Sequence, residues 1–375
     1  MAPIRVGLVG LSSTATNPQA PGAWALLAHL PWLLSSPDYK LVALANSSVE
    51  SAKKAIVAHK LSSDVKAYGS PEELANDPSI DLVVISVNVG KHYELAKPAL
   101  LAKKDVFVEW PLGASAAEAA ELTDLAKANG SRTVVGLQAR SDPLILKVKE
   151  IIKAGQIGEV TSSTALGSFS PLPVDAWIEG AEYYLDIKSG GNAFTIFFGH
   201  FLDSFTQVVG DFKDVQSILQ TRYPTIPIFN GEGKVVNPSH PKSAPDHIFV
   251  QGTLENGAGA SISFRSVPAA VDGVGFRWLI SGTKGEIEIT MPESHWQMGN
   301  PGATLKLRVG KDSAAQDVDF STLQDPSISK IPFPGPNTAS LYEAFAKGDR
   351  ESYATFESSL KLHKLLDRIV QASAK

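Results

Sequence analysis

Four stretches of this 375-residue chain carry residue types suited to chemistry. FTIFFGHFLDSF sets His200 in an apolar helical run, with Asp203 three residues on. Histidine is the usual proton-handling side chain near neutral pH, and a carboxylate one helical turn along can orient its ring. EYYLDIKSGG offers Tyr183 as a proton donor and Asp186 ahead of a glycine pair. The opening segment VGLVGLSSTATNPQAPGAW places Gly10 after an apolar run, followed by Leu11, Ser12 and Ser13. Such a turn between a strand and a helix lets backbone N–H groups approach a pyrophosphate. Of the three glycine positions in G-x-G-x-x-G, Gly10 fills the first, while Ser12 and Ala15 stand at the second and third. Each feature has a structural alternative: a core histidine, packed tyrosines, a glycine that merely ends a strand.

The fourth stretch is ALANSS, where Asn46, Ser47 and Ser48 end a second apolar run. An acidic residue at this place would hold a ribose 2′-hydroxyl, the NAD arrangement. Its absence removes repulsion against a 2′-phosphate, which hydroxyls and the nearby Lys53 and Lys54 can bind. NADP is therefore expected in preference to NAD. Asn-Ser-Ser also reads as the cap of the next helix, which does not conflict with phosphate contact. Asp246 and His247 suggest a metal pair, but neighbours on a strand point to opposite faces and no third ligand stands at suitable spacing, so no metal site is expected.

Residues 1–138 alternate short β-branched runs with amphipathic segments of helical length, which predicts βαβ units and a doubly wound parallel sheet. Residues 139–375 read as a second, α+β domain. Successive strands separated by turns such as NG at 256–257 and TKGE at 283–286 imply a large, mostly antiparallel open sheet. Residues 221–245 are proline-rich and read as a long loop, and an amphipathic C-terminal helix over 352–374 is expected to pack back. The formal charge of −5 without a basic tract argues against direct nucleic-acid binding, and no apolar run reaches the roughly 20 residues of a membrane span. Cysteine is absent, which excludes disulfides and thiolate catalysis. The start reads as a strand rather than a secretory signal, so a cytoplasmic protein is expected.

The stretch IDLVVISVNVGKHYELAKPALLAKKDVFVEWPLG resembles the Gfo/Idh/MocA oxidoreductases, as do Arg140, GQIGEV at 155–160, the block around His200 and GTKGEIEI at 282–289. The resemblance implies a Rossmann domain followed by a substrate domain, with Ser86, Asn88, His92, Glu109, Trp110 and Arg140 lining the cofactor. For Arg140, a salt bridge between the two halves is an equal alternative. The family's Glu-Lys-Pro reads Glu109-Trp110-Pro111 here, and Trp110 cannot transfer a proton as lysine does. Ile196 stands where the family places an aspartate one turn before its histidine. Glu-Trp, the phenylalanine before Gly-His, YYLD and PDHIFVQGTLENG resemble the branch of the fungal galactose/lactose metabolism regulatory protein. Two functions are thereby implied: hydride transfer between NADP(H) and a small polar carbonyl or alcohol, with His200 handling the proton, or dinucleotide-dependent regulation through a partner protein, in which case the nucleus is a possible site. A homodimer is expected under both.

Overall fold

The computed structural model describes residues 2–14, 22–169, 172–299 and 301–374. It divides into two compact units, Met1–Gln138 with Pro326–His363, and Ala139–Asp325 with Lys364–Lys375.

In the first unit, β1 (Ile4–Val9), β2 (Tyr39–Ala45), β3 (Lys66–Tyr68), β4 (Leu82–Ile85), β5 (Asp105–Glu109) and β6 (Thr133–Gly136) form an all-parallel sheet in the order β3-β2-β1-β4-β5-β6. Parallel strands need crossovers, which here include α1 (Leu30–Ser35), α2 (Val49–Ala58), α3 (Pro71–Asn76), α4 (His92–Leu101) and α5 (Ala116–Asn129). Strand β4 is buried at every position, as a strand covered on both faces must be. Ser70 caps α3 by accepting from the N–H groups of Glu72 and Glu73, with Pro71 at its first position. The sequence-level division at 138/139 assigned residues 326–363 to the second half, whereas they fold with the first. Helix α8 (Pro336–Lys347, numbered in chain order) sends Leu341, Tyr342 and Phe345 into the same core as Leu8, Leu44 and Phe107. Val135 N–H donates to the Ala354 carbonyl at 2.8 Å, so the returning chain also covers β6.

In the second unit, α6 (Pro143–Lys153) leads into β7 (Val160–Ser168), and α7 (Gly199–Val209) follows a π-helical turn at Ala193–Phe198. The remaining strands are β8 (Trp177–Ile178), β9 (Gln216–Gln220), β10 (Thr225–Phe229), β11 (Val235–Pro241), β12 (His247–Thr253), β13 (Gly259–Arg265), β14 (Phe276–Gly282), β15 (Gly285–Met291), β16 (Thr304–Val309) and β17 (Gln316–Asp317). Seven of these join β7 in an eight-stranded sheet in the order β17-β16-β15-β14-β7-β13-β12-β9, antiparallel except where β7 runs beside β13. Inward residues alternate along β14, and Phe201 of α7 packs edge-on against Phe276, Trp278 and Trp296 at 5.0–5.3 Å between ring centres. The expected loop at 221–245 is instead largely a hairpin, β10 and β11, joined by β8 into a three-stranded sheet. Prolines hid it: Pro238 and Pro241 lie on its edge strand, where a missing N–H is tolerated. The last helix, α9 (Phe356–Ser373), begins with the first unit and ends with the second, where Ser373 Oγ accepts from Leu219 N–H at 2.9 Å.

Candidate functional site

The carboxyl end of the parallel sheet is where open α/β sheets bind ligands, at the point where strand order reverses between β1 and β4. Gly10 stands just past β1 with φ of +104°, and a Cβ there would lie 2.3 Å from the Ser86 carbonyl oxygen. Only glycine fits so close a backbone crossing. The turn after it is braced from two sides. Asn46 Nδ2 donates to the Leu11 carbonyl at 2.9 Å, and His59 Nε2 donates to the Ser12 carbonyl at 2.7 Å. Ser12 Oγ accepts from Thr14 N–H at 3.2 Å, and Ser13 is half-buried. Ala15, with residues 16–21, lies outside the described residues.

At the end of β2, Ser47 and Ser48 are exposed, and Ser48 caps α2 by accepting from Ser51 N–H at 3.1 Å. Lys54 pairs with Glu50 at 2.8 Å. Ser86 is buried, and its hydroxyl has no hydrogen-bond partner among the described residues. A glycine cradle, serine hydroxyls and a buried hydroxyl without a partner among the described residues fit a nicotinamide dinucleotide. The residues that would hold it are Gly10, Leu11, Ser12, Ser13, Asn46, Ser47 and Ser86.

Beyond β4, exposed Asn88 caps the turn at Val89–Lys91 by accepting from Gly90 N–H at 3.0 Å. His92 is buried, with Nδ1 2.7 Å from the Pro111 carbonyl and Nε2 3.0 Å from the Val87 carbonyl. Burial pushes its pKa down, opposing the gain from those carbonyls. The ring thus ties the loop after β4 to the loop after β5. Trp110 precedes a cis proline, is 4% exposed, and packs on His363 of α9 at 4.8 Å between ring centres. Burial, with the charge of His92 adding, lowers His363 to about 4. His363 Nε2 has no hydrogen-bond partner among the described residues.

Glu109 ends β5 as a buried carboxylate. His29 Nε2 lies 2.8 Å from Oε1, and Gln138 Nε2 donates to both oxygens at 3.1 and 2.9 Å. His29 Nδ1 in turn lies 2.8 Å from the Tyr342 hydroxyl. Burial raises Glu109, but the hydrogen bond and charge attraction of His29, with hydrogen bonds from Trp24 and Gln138, prevail and hold it below its ordinary range. A Cβ at Gly136 would lie 2.3 Å from Oε2, so the neighbouring strand must carry glycine there. Gln138, Tyr342, His59 and His363 were not singled out in the sequence. Tyr342 meets His29 across 313 residues, and no local pattern reports such a pair.

The second unit holds the other candidates. His200 is buried in α7 at 4% exposure. Asp203 is held by Arg140, whose Nε and Nη2 donate to its two oxygens at 2.9 and 2.6 Å. This ion pair lies within the second unit, so it is not a salt bridge between the halves, and it engages the guanidinium that was expected to line the cofactor. Asp186 is exposed and caps the turn at Ile187–Ser189. Its Oδ1 accepts from Lys188 N–H at 3.0 Å and Ser243 Oγ at 2.9 Å, and these donors hold it below its ordinary value. Tyr183 is 38% exposed beside Tyr184, and burial raises its pKa, which keeps the phenol protonated. Asp246 accepts from Arg222 N–H, Tyr223 N–H, His247 Nδ1 and Lys242 Nζ at 2.8 to 3.2 Å, a fully hydrogen-bonded loop anchor.

A protein-family model described as the oxidoreductase family, NAD-binding Rossmann fold, matches residues 4–137, and one described as Gal80p, C-terminal domain, matches residues 143–291. The galactose/lactose metabolism regulatory protein GAL80 of Saccharomyces cerevisiae is 31% identical over 99% of this chain and 93% of its own length. Dehydrogenase aclE of Aspergillus oryzae is 28% identical over 99% of this chain and 96% of its own. Among solved structures, a super-repressor mutant of Gal80p from Saccharomyces cerevisiae matches with a TM-score of 0.87 at 26% identity, covering 100% of this chain and 96% of that one.

Proposed function

Because the chain belongs to the Gfo/Idh/MocA oxidoreductase family, with its NAD(P)-binding Rossmann domain and a Gal80-type C-terminal domain, we propose that it is an NADP(H)-dependent oxidoreductase acting on a small polar carbonyl or alcohol. The observation that carries this reading is the dinucleotide end of the first unit, where Gly10 crosses Ser86 closely and the end of β2 offers Asn46, Ser47 and Ser48 without a carboxylate. When bound, the nicotinamide supplies the hydride chemistry. Ser12, Ser13, Asn46 and Ser47 hold the dinucleotide, while Asn88, Glu109 and Trp110 border the nicotinamide. His200 holds or moves the proton at the substrate oxygen, with the Tyr183 phenol as a second donor. Asp186 and Arg140 serve as a turn cap and as the partner of Asp203.

A second reading, a non-catalytic dinucleotide-binding regulator, is favoured by one observation. Glu109, Asp203 and Asp186, the carboxylates available for proton handling, are each engaged within the fold by His29 and Gln138, by Arg140, and by Lys188 N–H and Ser243. Under either reading, a second copy of the chain covers the open face of the large sheet, where Leu166 and Ile218 are exposed. The location proposed for the enzyme is the cytoplasm, with the nucleus added under regulation. No helix among the described residues is long and apolar enough to cross a membrane.

Turnover of NADPH with a panel of sugars, polyols, ketones and imines separates the two. The enzyme reading expects turnover of at least one panel member, reduced roughly 10²–10⁴-fold by His200→Ala with NADPH affinity nearly intact. Tight NADPH binding without turnover, and a shift in affinity for a partner on adding NADP, supports regulation instead.

A further inference from the structure

Helix α2 ends in a lock that holds one side chain against the dinucleotide turn. His59 caps the end of the helix, and Lys60 follows it with a φ of +52°. Leu61 N–H donates to the Ile56 carbonyl at 3.0 Å and Lys60 N–H to the Val57 carbonyl at 3.1 Å, the paired bonds of a Schellman ending. Ile56 and Leu61 both pack on the core of the first unit, the apolar contact that such an ending favours. Glycine is the usual residue at the left-handed position, so lysine is held there at a conformational cost. The half-buried His59 ring is thereby placed, and its Nε2 meets the Ser12 carbonyl at 2.7 Å. A carbonyl oxygen only accepts, so this nitrogen bears its hydrogen in the neutral and the charged ring alike.

We infer that His59 is a positioning residue of the dinucleotide site, which turns the Ser12–Ser13 peptide so that the Ser13 N–H meets the pyrophosphate. The inference rests on the proposed dinucleotide site. In a trans peptide the C=O and the following N–H point in opposite directions. Asn46 holds the Leu11 carbonyl and His59 the Ser12 carbonyl, so the N–H groups of Ser12 and Ser13 turn away from these two side chains. Asn46 stands past the end of β2, and α2 follows that strand. β4 lies on the opposite side of β1, where the strand order reverses and a ligand of such a sheet binds. Ser86, which follows β4 on that side, carries the buried hydroxyl without a partner among the described residues. Two carbonyls drawn one way thus present two successive N–H groups the other way, a concavity suited to an anion. A turn with three glycines reaches the pyrophosphate by bare backbone. Here serine stands at the second place, and side-chain donors set the peptide planes instead.

The test measures dissociation constants of NADPH and of adenosine 2′-monophosphate, which lacks the pyrophosphate, for the full chain by calorimetry. His59→Leu is expected to weaken NADPH about tenfold, a difference of about 1.4 kcal/mol, and adenosine 2′-monophosphate less than about twofold. His59→Gln, whose amide can donate to the same carbonyl, is expected to stay within about threefold of the wild type for both. In the wild type, the Ser13 backbone N–H resonance is expected to move downfield on adding NADPH and to stay in place on adding adenosine 2′-monophosphate. NADPH binding unchanged in His59→Leu, equal losses of both ligands, or His59→Gln as weak as His59→Leu overturns the inference. So does a Ser13 resonance that NADPH leaves in place, a measurement that needs no variant to fold. Failure of the wild type to bind NADPH overturns the dinucleotide reading itself.

Discussion

Arg140 grips Asp203 through two hydrogen bonds of 2.9 and 2.6 Å, with the two side chains 7% and 3% exposed, one helical turn beyond His200. The pair fixes the inner face of α7 to the turn at Gln138–Ser141 that opens the second unit. Buried ion pairs give little net stability against apolar replacements, but removing one partner strands a charge.

Arg140→Met should therefore destabilise the chain by about 3–5 kcal/mol in urea denaturation, with Arg140→Met/Asp203→Leu recovering most of the loss. A single-variant loss below about 1 kcal/mol would show that the pair is better solvated than its burial indicates.

His363 gives the fold an acid-sensitive limb. Its pKa in the folded chain is lowered from the ordinary 6.5 to about 4, so on acidification the unfolded chain takes up a proton that the folded chain refuses. Stability is complete above about pH 6.5 and falls toward pH 4, by about 1.4 kcal/mol per unit and roughly 3 kcal/mol in all. Denaturation at pH 7 and pH 4.5 should show a smaller difference in His363→Phe, which keeps an aromatic ring against Trp110. An unchanged difference would assign the limb to other groups.

Two glycines with positive φ separate backbone strain from close approach. Gly10 has a φ of +104° and a carbonyl oxygen 2.3 Å from the place of its missing Cβ, whereas Gly130 at the end of α5 has a φ of +70° and open space. Gly130→Ala should cost about 1 kcal/mol from conformation alone. Gly10→Ala should cost more, about 1–3 kcal/mol, and also weaken NADPH binding at least about tenfold, because β1 and β4 must part to admit the methyl group. Equal losses in melting temperature, with NADPH binding intact in both, would remove Gly10 from the dinucleotide site.

Much of the fold was legible because its signals are local. Buried runs such as Leu82–Ile85 and the capped start at Ser70–Pro71 announce themselves within a few residues. The parallel and antiparallel halves follow from whether helices intervene between strands. The return of α8 to the first unit was not legible, since amphipathicity says that a face is buried without saying against what. The site divides in the same way. Gly10 and Asn46 were singled out from their places at strand ends, Ser86 only through the family resemblance, and the grip of Arg140 on Asp203, 63 residues away, leaves no local pattern. Glu109 was read as a cofactor contact, but its grip by His29, itself met by the Tyr342 hydroxyl, depends on two long-range meetings.

The most direct test of the central claim compares NADPH and NADH dissociation constants for the wild type and for Ser47→Asp, which places a carboxylate at the end of β2. An NADP(H) site predicts NADPH bound at least about tenfold more tightly than NADH by the wild type, with the preference shifting toward NADH in the variant. NADH bound as tightly as NADPH or more tightly by the wild type would contradict it.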